Sequence, residues 1–151
     1  DYAISDNWSV GVDANFASHT YDNNIELFGS NKDIKGNDID TSPKAFGSAR
    51  LGWDFSELAG RYSLTELEWV YMGSYYLDPT NEHEYNGHSL VNLRITSDLT
   101  PRWTAGLRLT NLLDEEYAER ADFGFGDYRY FVGQPRGAYL QISYQFGVTD
   151  G

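Results

Sequence analysis

Cysteine is missing from this chain and methionine occurs once, so neither a disulfide framework nor a thiolate metal site is open to it. Positive charge is scarce. Eleven Lys and Arg stand against 23 Asp and Glu, a net charge of −12, and attraction to nucleic acid or to anionic headgroups needs clustered cations that are not there. Long apolar runs are missing too. The longest is residues 69–72, far short of the roughly 20 residues of a membrane-spanning helix, so any membrane crossing must be made with strands. Gly-x-Ser-x-Gly and His-Glu-x-x-His do not occur, and His19, His83 and His88 have no serine at a recognisable spacing. No catalytic residue, cofactor or metal site is expected. No basic or apolar leader precedes Asp1, so a secretion signal is expected upstream.

What the 151 residues do contain is 40% hydrophobic and 16% aromatic side chains, with 12 Tyr, 8 Phe and 4 Trp. They are arranged with period two. Trp8, Val10, Val12, Ala14 and Phe16 alternate with Ser9, Gly11, Asp13 and Asn15. Alternation recurs from Ala45 to Phe55, where Phe46 is a misfit on the polar face, and from Thr65 to Tyr75. Tyr62 and Leu64 break parity ahead of that third segment, and a bulge is expected there. Three more alternating segments run around Val91 to Ile95, Trp103 to Leu109 and Ala138 to Phe146. Each has the length of a tilted transmembrane strand. Tyr2, Ala3 and Ile4 read as the tail of another.

Connections alternate between short (residues 5–7, 56–61 and 98–102) and long (22–43, 77–88 and 113–136). Short turns at one end and long loops at the other are the pattern of outer-membrane barrels, as are two aromatic girdles. Trp8, Trp53, Phe55, Trp103, Tyr144 and Phe146 would form the girdle at the turn end. Phe16, Tyr71, Tyr75 and Tyr76 would form the one at the loop end. A soluble antiparallel barrel or sandwich also alternates, but it gives no reason for every second loop to be long. The fold class is therefore all-β: about six strands of an antiparallel transmembrane barrel.

Three pieces of sequence carry a family resemblance. They are Asn111-Leu112-Leu113-Asp114-Glu115-Glu116-Tyr117 at a strand end, Gly133-Gln134-Pro135-Arg136 after an aromatic-rich loop, and a last strand closing on Tyr144-Gln145-Phe146. Together they resemble the C-terminal part of the TonB-dependent outer-membrane receptors, and weaker matches such as Leu67-Glu68-Trp69 extend over the whole chain. The resemblance implies that residues 1–151 are the C-terminal portion of a barrel of about 22 strands, with a plug domain and earlier strands absent. It further implies a monomer in outer-membrane lipid that imports a scarce nutrient, above all a ferric siderophore or other iron chelate. Energy would come from the TonB complex acting through the plug. One departure is that the family's terminal aromatic is followed here by Gly147 and four further residues.

On the polar face Asp13, Arg50, Asp54, Glu66, Glu68, Arg94 and Arg108 would line the lumen and meet a plug through charge-assisted hydrogen bonds. Ligand contacts are expected from the long loops. Phe123, Phe125, Tyr128, Arg129, Tyr130 and Phe131 suit a planar, partly anionic chelate, joined by Tyr76, His83 and His88. His83 and His88 with Asp78, Glu82 and Glu84 do not follow a recognised metal-ligand spacing. The acidic start, Asp114 to Tyr117, is expected to be structural. A passive outer-membrane channel, a soluble Tyr- and Trp-rich carbohydrate-binding module and a barrel hydrolase are the competing readings. Detergent dependence separates the soluble module from the rest.

Overall fold

The computed structural model describes residues 1–27 and 30–147. In chain order its elements are β1 (Tyr2–Ala3), β2 (Trp8–Phe16), β3 (Ile25–Leu27), β4 (Ser30–Lys32), β5 (Ala45–Asp54) and the helical turn α1 (Ser56–Ala59). They continue as β6 (Ser63–Met72), β7 (Tyr75–Tyr76), β8 (Glu84–Tyr85), β9 (His88–Thr100), β10 (Trp103–Thr110), β11 (Ala118–Gly124), β12 (Asp127–Val132) and β13 (Gly137–Tyr144). Seven of these form one antiparallel sheet in the order β1-β2-β5-β6-β9-β10-β13. Neighbours in sequence are neighbours in space, so the sheet is an uninterrupted meander. It does not close: β1 and β13 are its two edges.

The predicted alternation sets the register. Leu67 lies between Leu51 and Leu93 on one face, while Glu68 lies between Arg50 and Asn92 on the other. Slipping any strand by one residue would exchange the two faces wholesale, which is why the pairing is strongly specified. The apolar face is left bare. Val12 is 68% exposed and Leu140 72%, an apolar expanse that water penalises and a bilayer solvates. The buried hydrophobic residues, Ile34, Tyr75, Leu77, Ala118 and Ala121, all lie outside the large sheet among the described residues. A soluble sandwich would bury one face of its strands; here only the loops own a core.

Aromatic side chains gather at the turn end as expected. Trp8 and Trp53 are register partners whose rings stack 5.7 Å apart, and Phe55 joins Trp53 at 5.2 Å. Trp103, Tyr144 and Phe146 form a second string, each neighbouring pair 4.7 Å apart. The loop-end girdle is smaller than the sequence implies. Phe16 and Tyr71 face outward, with Tyr71 stacked on Trp69 at 5.6 Å. Tyr75, by contrast, is buried at 6% and Tyr76 is half-buried, both in β7 of a separate small sheet. The chain turns away from the wall after Met72, so parity no longer assigns a face there.

Two turn details also differ. No bulge interrupts β6: Leu64 pairs in register with Asp54 and Thr96 and simply takes a place on the polar face. The register shift falls instead in the β9–β10 pairing, between Trp103 and Thr104. There β9 runs on to Thr100, whose Oγ1 accepts hydrogen bonds from the Arg102 and Trp103 amides at 3.2 and 3.1 Å. Pro101 occupies the corner with its fixed φ. Of the tail that follows Phe146, residues 148–151 lie outside the described residues.

The face assignment makes a direct prediction. Leu67→Arg places a guanidinium at the middle of the apolar face and is expected to destabilise the folded full-length protein in lipid vesicles by about 2–4 kcal/mol. Ser48→Arg, on the polar face of the adjacent strand, is expected to cost much less, and urea unfolding in vesicles measures both.

Candidate functional site

All three long connections fold back on themselves as short hairpins, β3–β4, β7–β8 and β11–β12. The last two share a core of Tyr75, Leu77, Ala118 and Ala121, flanked by Met72, Tyr85 and Phe123. Backbone and hydroxyl groups lock it. The Phe123 amide donates to the Leu77 carbonyl at 3.0 Å, and the Ala121 amide to the Tyr75 hydroxyl at 2.9 Å. Tyr85 Oη accepts from the Ala118 amide at 3.1 Å and donates to the Ala118 carbonyl at 3.3 Å. Burial raises the Tyr85 pKa above its ordinary value, which keeps that donor protonated.

The first long loop joins the same body. Thr41 N–H donates to the Tyr76 carbonyl at 2.8 Å, and Asn37 Nδ2 to the Pro79 carbonyl at 3.0 Å. Asn81 pairs with the backbone of Asp38 through both ends of its amide, at 2.8 and 3.0 Å. The residues so placed are held by side chains that the chain must bring together from three connections.

Asp78 is the hub of β7–β8. Its carboxylate, 7% exposed, accepts from the Thr80 amide and hydroxyl and from the His83 amide and ring Nδ1, the two His83 contacts both at 2.9 Å. Burial alone would raise its pKa, but these donors outweigh burial and hold it below its ordinary value of 3.8. So anchored, the His83 imidazole lies flat on Phe123, ring centroids 3.6 Å apart and 10° from parallel. Tyr128 meets both rings edge-on, at 5.4 Å from His83 and 5.2 Å from Phe123, and stacks 6.1 Å from Tyr130. The result is a continuous surface of His83, Phe123, Tyr128 and Tyr130, with the two tyrosines about half exposed.

Strand alternation in β12 sends Arg129 and Phe131 to the opposite face. There Asp122, 9% exposed, takes Arg129 Nε at 2.5 Å and Arg120 at 3.6 Å. The guanidiniums cover Phe125 and Phe131 at 5.9 and 5.7 Å. Phe125 itself stands at the hairpin tip, 93% exposed. The predicted loop residues thus separate into an aromatic face and a cation–aromatic face. His88 joins neither: its Nδ1 is 3.0 Å from Tyr85 Oη and its ring 4.5 Å from that of Tyr117. Tyr76 contributes its backbone to the loop body. Among the described residues no three His, Cys, Asp or Glu side chains are grouped to hold a metal ion.

The backbone at the acidic start of the last loop is tied down by Asn111. Asn111, 3% exposed and with φ of 50°, donates to the carbonyls of Glu115 at 2.9 Å and Gln134 at 3.2 Å and accepts from the Glu115 amide at 2.9 Å. One side chain therefore closes the loop at its base. Gly133 passes so close to the Tyr117 ring that a Cβ there would lie 2.2 Å from Tyr117 Cζ. A cavity of about 710 Å³ opens beside this clamp, lined by Tyr85, Tyr117, Tyr130, Val132, Pro135 and the three carboxylates Asp114, Glu115 and Glu116.

On the wall, Arg50 pairs with Asp13 at 2.7 Å and with Asp1 at 3.2 Å. Glu68 accepts from Asn92 Nδ2 at 3.0 Å. Glu66, Arg94 and Arg108 occupy one row across β6, β9 and β10. Asp54 serves the turn instead, accepting the Ser56 amide at 2.9 Å. Sequence reasoning missed Asp78, Tyr85 and Asn111 as organisers. Asp78 and Asn111 are polar and buried, and Tyr85 is half-buried with its hydroxyl turned to the backbone, combinations that period-two patterning does not report.

Two outcomes follow. Tyr85→Phe leaves the Ala118 amide without its acceptor, and about 1–3 kcal/mol of local stability is expected to be lost, read as faster deuterium exchange at Ala118. Because Asp78 has a folded pKa below 3.8, its contribution is complete above that pH and disappears as pH falls through the lower folded value. Exchange across residues 78–83 should therefore rise below pH 3.8. Asp78→Asn should already exchange about tenfold faster at neutral pH, with that pH dependence gone.

The chain resembles known proteins in both sequence and shape. The family described as "TonB dependent receptor-like, beta-barrel" matches residues 1–112. Asn111 and Leu112 fall inside that match, whereas Gly133-Gln134-Pro135-Arg136 and the closing aromatics fall beyond it. No curated protein sequence matches. Among solved structures, the ferric yersiniabactin uptake receptor of Yersinia pestis superposes with a TM-score of 0.77 at 14% identity, covering 95% of this chain and 22% of that one. The siderophore receptor PiuA of Acinetobacter baumannii gives 0.72 at 15% identity, over 94% and 20%. The ferric-catecholate import receptor Fiu of E. coli K12 gives 0.67 at 17%, over 93% and 19%. The chain thus spans about a fifth of the length of these receptors, and at such identities the likeness is one of fold. With bare apolar strands, short turns at one end, a folded loop body at the other and a family match over residues 1–112, the chain belongs to the TonB-dependent receptor β-barrel family.

Proposed function

We propose that the complete protein is an outer-membrane receptor of a Gram-negative bacterium that binds an iron chelate, a ferric siderophore above all, and imports it. Residues 1–151 supply C-terminal strands and three outer loops. Earlier strands and a plug come from the preceding part of the protein, and the TonB complex acts on that plug. The role is binding and transport rather than catalysis, carried out by a monomer in outer-membrane lipid.

The observation that carries this reading is the aromatic surface of His83, Phe123, Tyr128 and Tyr130, held rigidly at the loop end of a membrane wall. A site ordered before the ligand arrives does not lose side-chain entropy on binding. Planar catecholate or heteroaromatic ligands stack on such rings. The printed descriptions of the similar structures, ferric yersiniabactin uptake and ferric-catecholate import, support iron chelates as the class to test.

Tyr128→Ala with Tyr130→Ala removes half-exposed rings without touching Asp78 or Asn111. Affinity of the full-length receptor for its ferric chelate is expected to fall about tenfold, roughly 1.4 kcal/mol. Uptake of radiolabelled iron under iron limitation is expected to require TonB. Uptake that persists without TonB would favour a passive channel, and unchanged affinity would place the ligand elsewhere.

A further inference from the structure

Along β12, alternation puts Tyr128, Tyr130 and Val132 on one face. The rings of Tyr128 and Tyr130 lie parallel, 6.1 Å apart, and Tyr130 and Val132 go on to line the cavity of about 710 Å³ at the base of the loop. The aromatic surface and the cavity are therefore one strip, about 13 Å from Tyr128 to Val132 at the rise of a strand. Past Tyr130 its walls are Tyr85, Tyr117 and Pro135.

The cavity end of the strip is negative. No Lys or Arg lines it among the described residues, whereas Asp114, Glu115 and Glu116 all do. Asp114 has Arg136 at 3.8 Å, but the Glu115 and Glu116 carboxylates have no ion-pair partner among the described residues. Nearby cations are turned away: Arg129 and Arg120 belong to the other face of the hairpin, where Asp122 takes both. Carboxylates on a loop are ordinarily left to water. These border a cavity whose remaining walls are aromatic or aliphatic, and rings with opposite charge beside them are the combination that holds ammonium groups.

We infer that the ligand of this receptor carries a cationic arm, a protonated or quaternary amine, which enters the cavity while the planar part of the ligand stacks on Tyr128 and Tyr130. The carboxylates attract that arm, and the tyrosines hold it by cation–π contact. An anionic arm meets two unpaired carboxylates and is rejected, so the cavity sets specificity by repulsion as well as attraction. The constraint falls on the arm alone, and the metal-binding groups of a chelate stay anionic. The inference rests on the reading of the protein as a chelate receptor and adds the charge of what it recognises.

The test uses the full-length receptor in detergent and three probes that share a phenol ring and differ in their arm. Tyramine is cationic at neutral pH, 4-ethylphenol neutral and 4-hydroxyphenylacetate anionic. Calorimetric titration is expected to rank them in that order, with tyramine about fivefold tighter than 4-ethylphenol. Glu115→Gln with Glu116→Gln changes two exposed side chains isosterically and leaves the backbone bonds to Asn111 in place. In that variant the three probes are expected to bind alike, whereas Tyr130→Ala is expected to weaken all three together. Tyramine that does not bind, that binds no tighter than 4-ethylphenol, or that keeps its advantage in the double variant would overturn the inference. These readouts need neither iron nor TonB. A receptor that fails to import iron sinks the proposed function and leaves the charge preference standing, while charge indifference in a receptor that imports iron sinks the inference alone.

Discussion

Every backbone N–H and C=O that enters hydrocarbon must find a partner within the protein, because each one left bare there costs several kcal/mol. The large sheet is a direct solution: β2 through β13 pair edge to edge in an unbroken antiparallel order, with a single register shift next to a turn. Period-two side chains follow from the same constraint. Once the ladder is fixed, one face must suit lipid and the other water, and Leu51, Leu67 and Leu93 fall on the first as surely as Arg50, Glu68 and Asn92 fall on the second. The same rule applies to the edges of β1 and β13, which require further strands before the wall can stand in a membrane.

A wall solvated by lipid has no hydrophobic core of its own, so rigidity at the loop end has to be built separately. The loops do this with a small apolar nucleus and an unusually dense set of polar anchors. Tyr75 and Tyr85 present hydroxyls to the backbone of β11, Asp78 gathers donors from Thr80, Glu82 and His83, and Asn111 ties the two ends of the last loop together. Each anchor satisfies groups that a buried loop would otherwise leave unpaired. The aromatic surface depends on that solution: the imidazole of His83 lies against Phe123 because Asp78 holds its other edge.

The wall was legible in the sequence for a simple reason. A strand's face is decided by parity alone, and parity survives wherever the ladder continues, so the registers of β2, β5, β6, β10 and β13 follow from the residues. Tyr75 shows where this stops. It shares the parity of Tyr71, yet the chain leaves the ladder after Met72 and buries it under a hairpin more than 40 residues away. The misplaced bulge has a related cause: Leu64 is apolar on a polar face, and parity cannot say whether the chain shifts or the face tolerates it. In the last loop, residue types pointed to aromatic and Arg recognition, but the alternation of β12 divides those residues between two faces. The contact of His83 with Phe123 spans two separate connections and had no local signal.

The central claim is that these strands belong to a closed membrane wall rather than to a soluble sheet. The most direct measurement expresses the full-length protein, isolates the outer-membrane fraction and compares its migration on a denaturing gel with and without boiling. A closed barrel resists the detergent until heated, so the account predicts an outer-membrane band whose mobility changes on boiling. A protein that stays soluble and migrates identically under both conditions would contradict it.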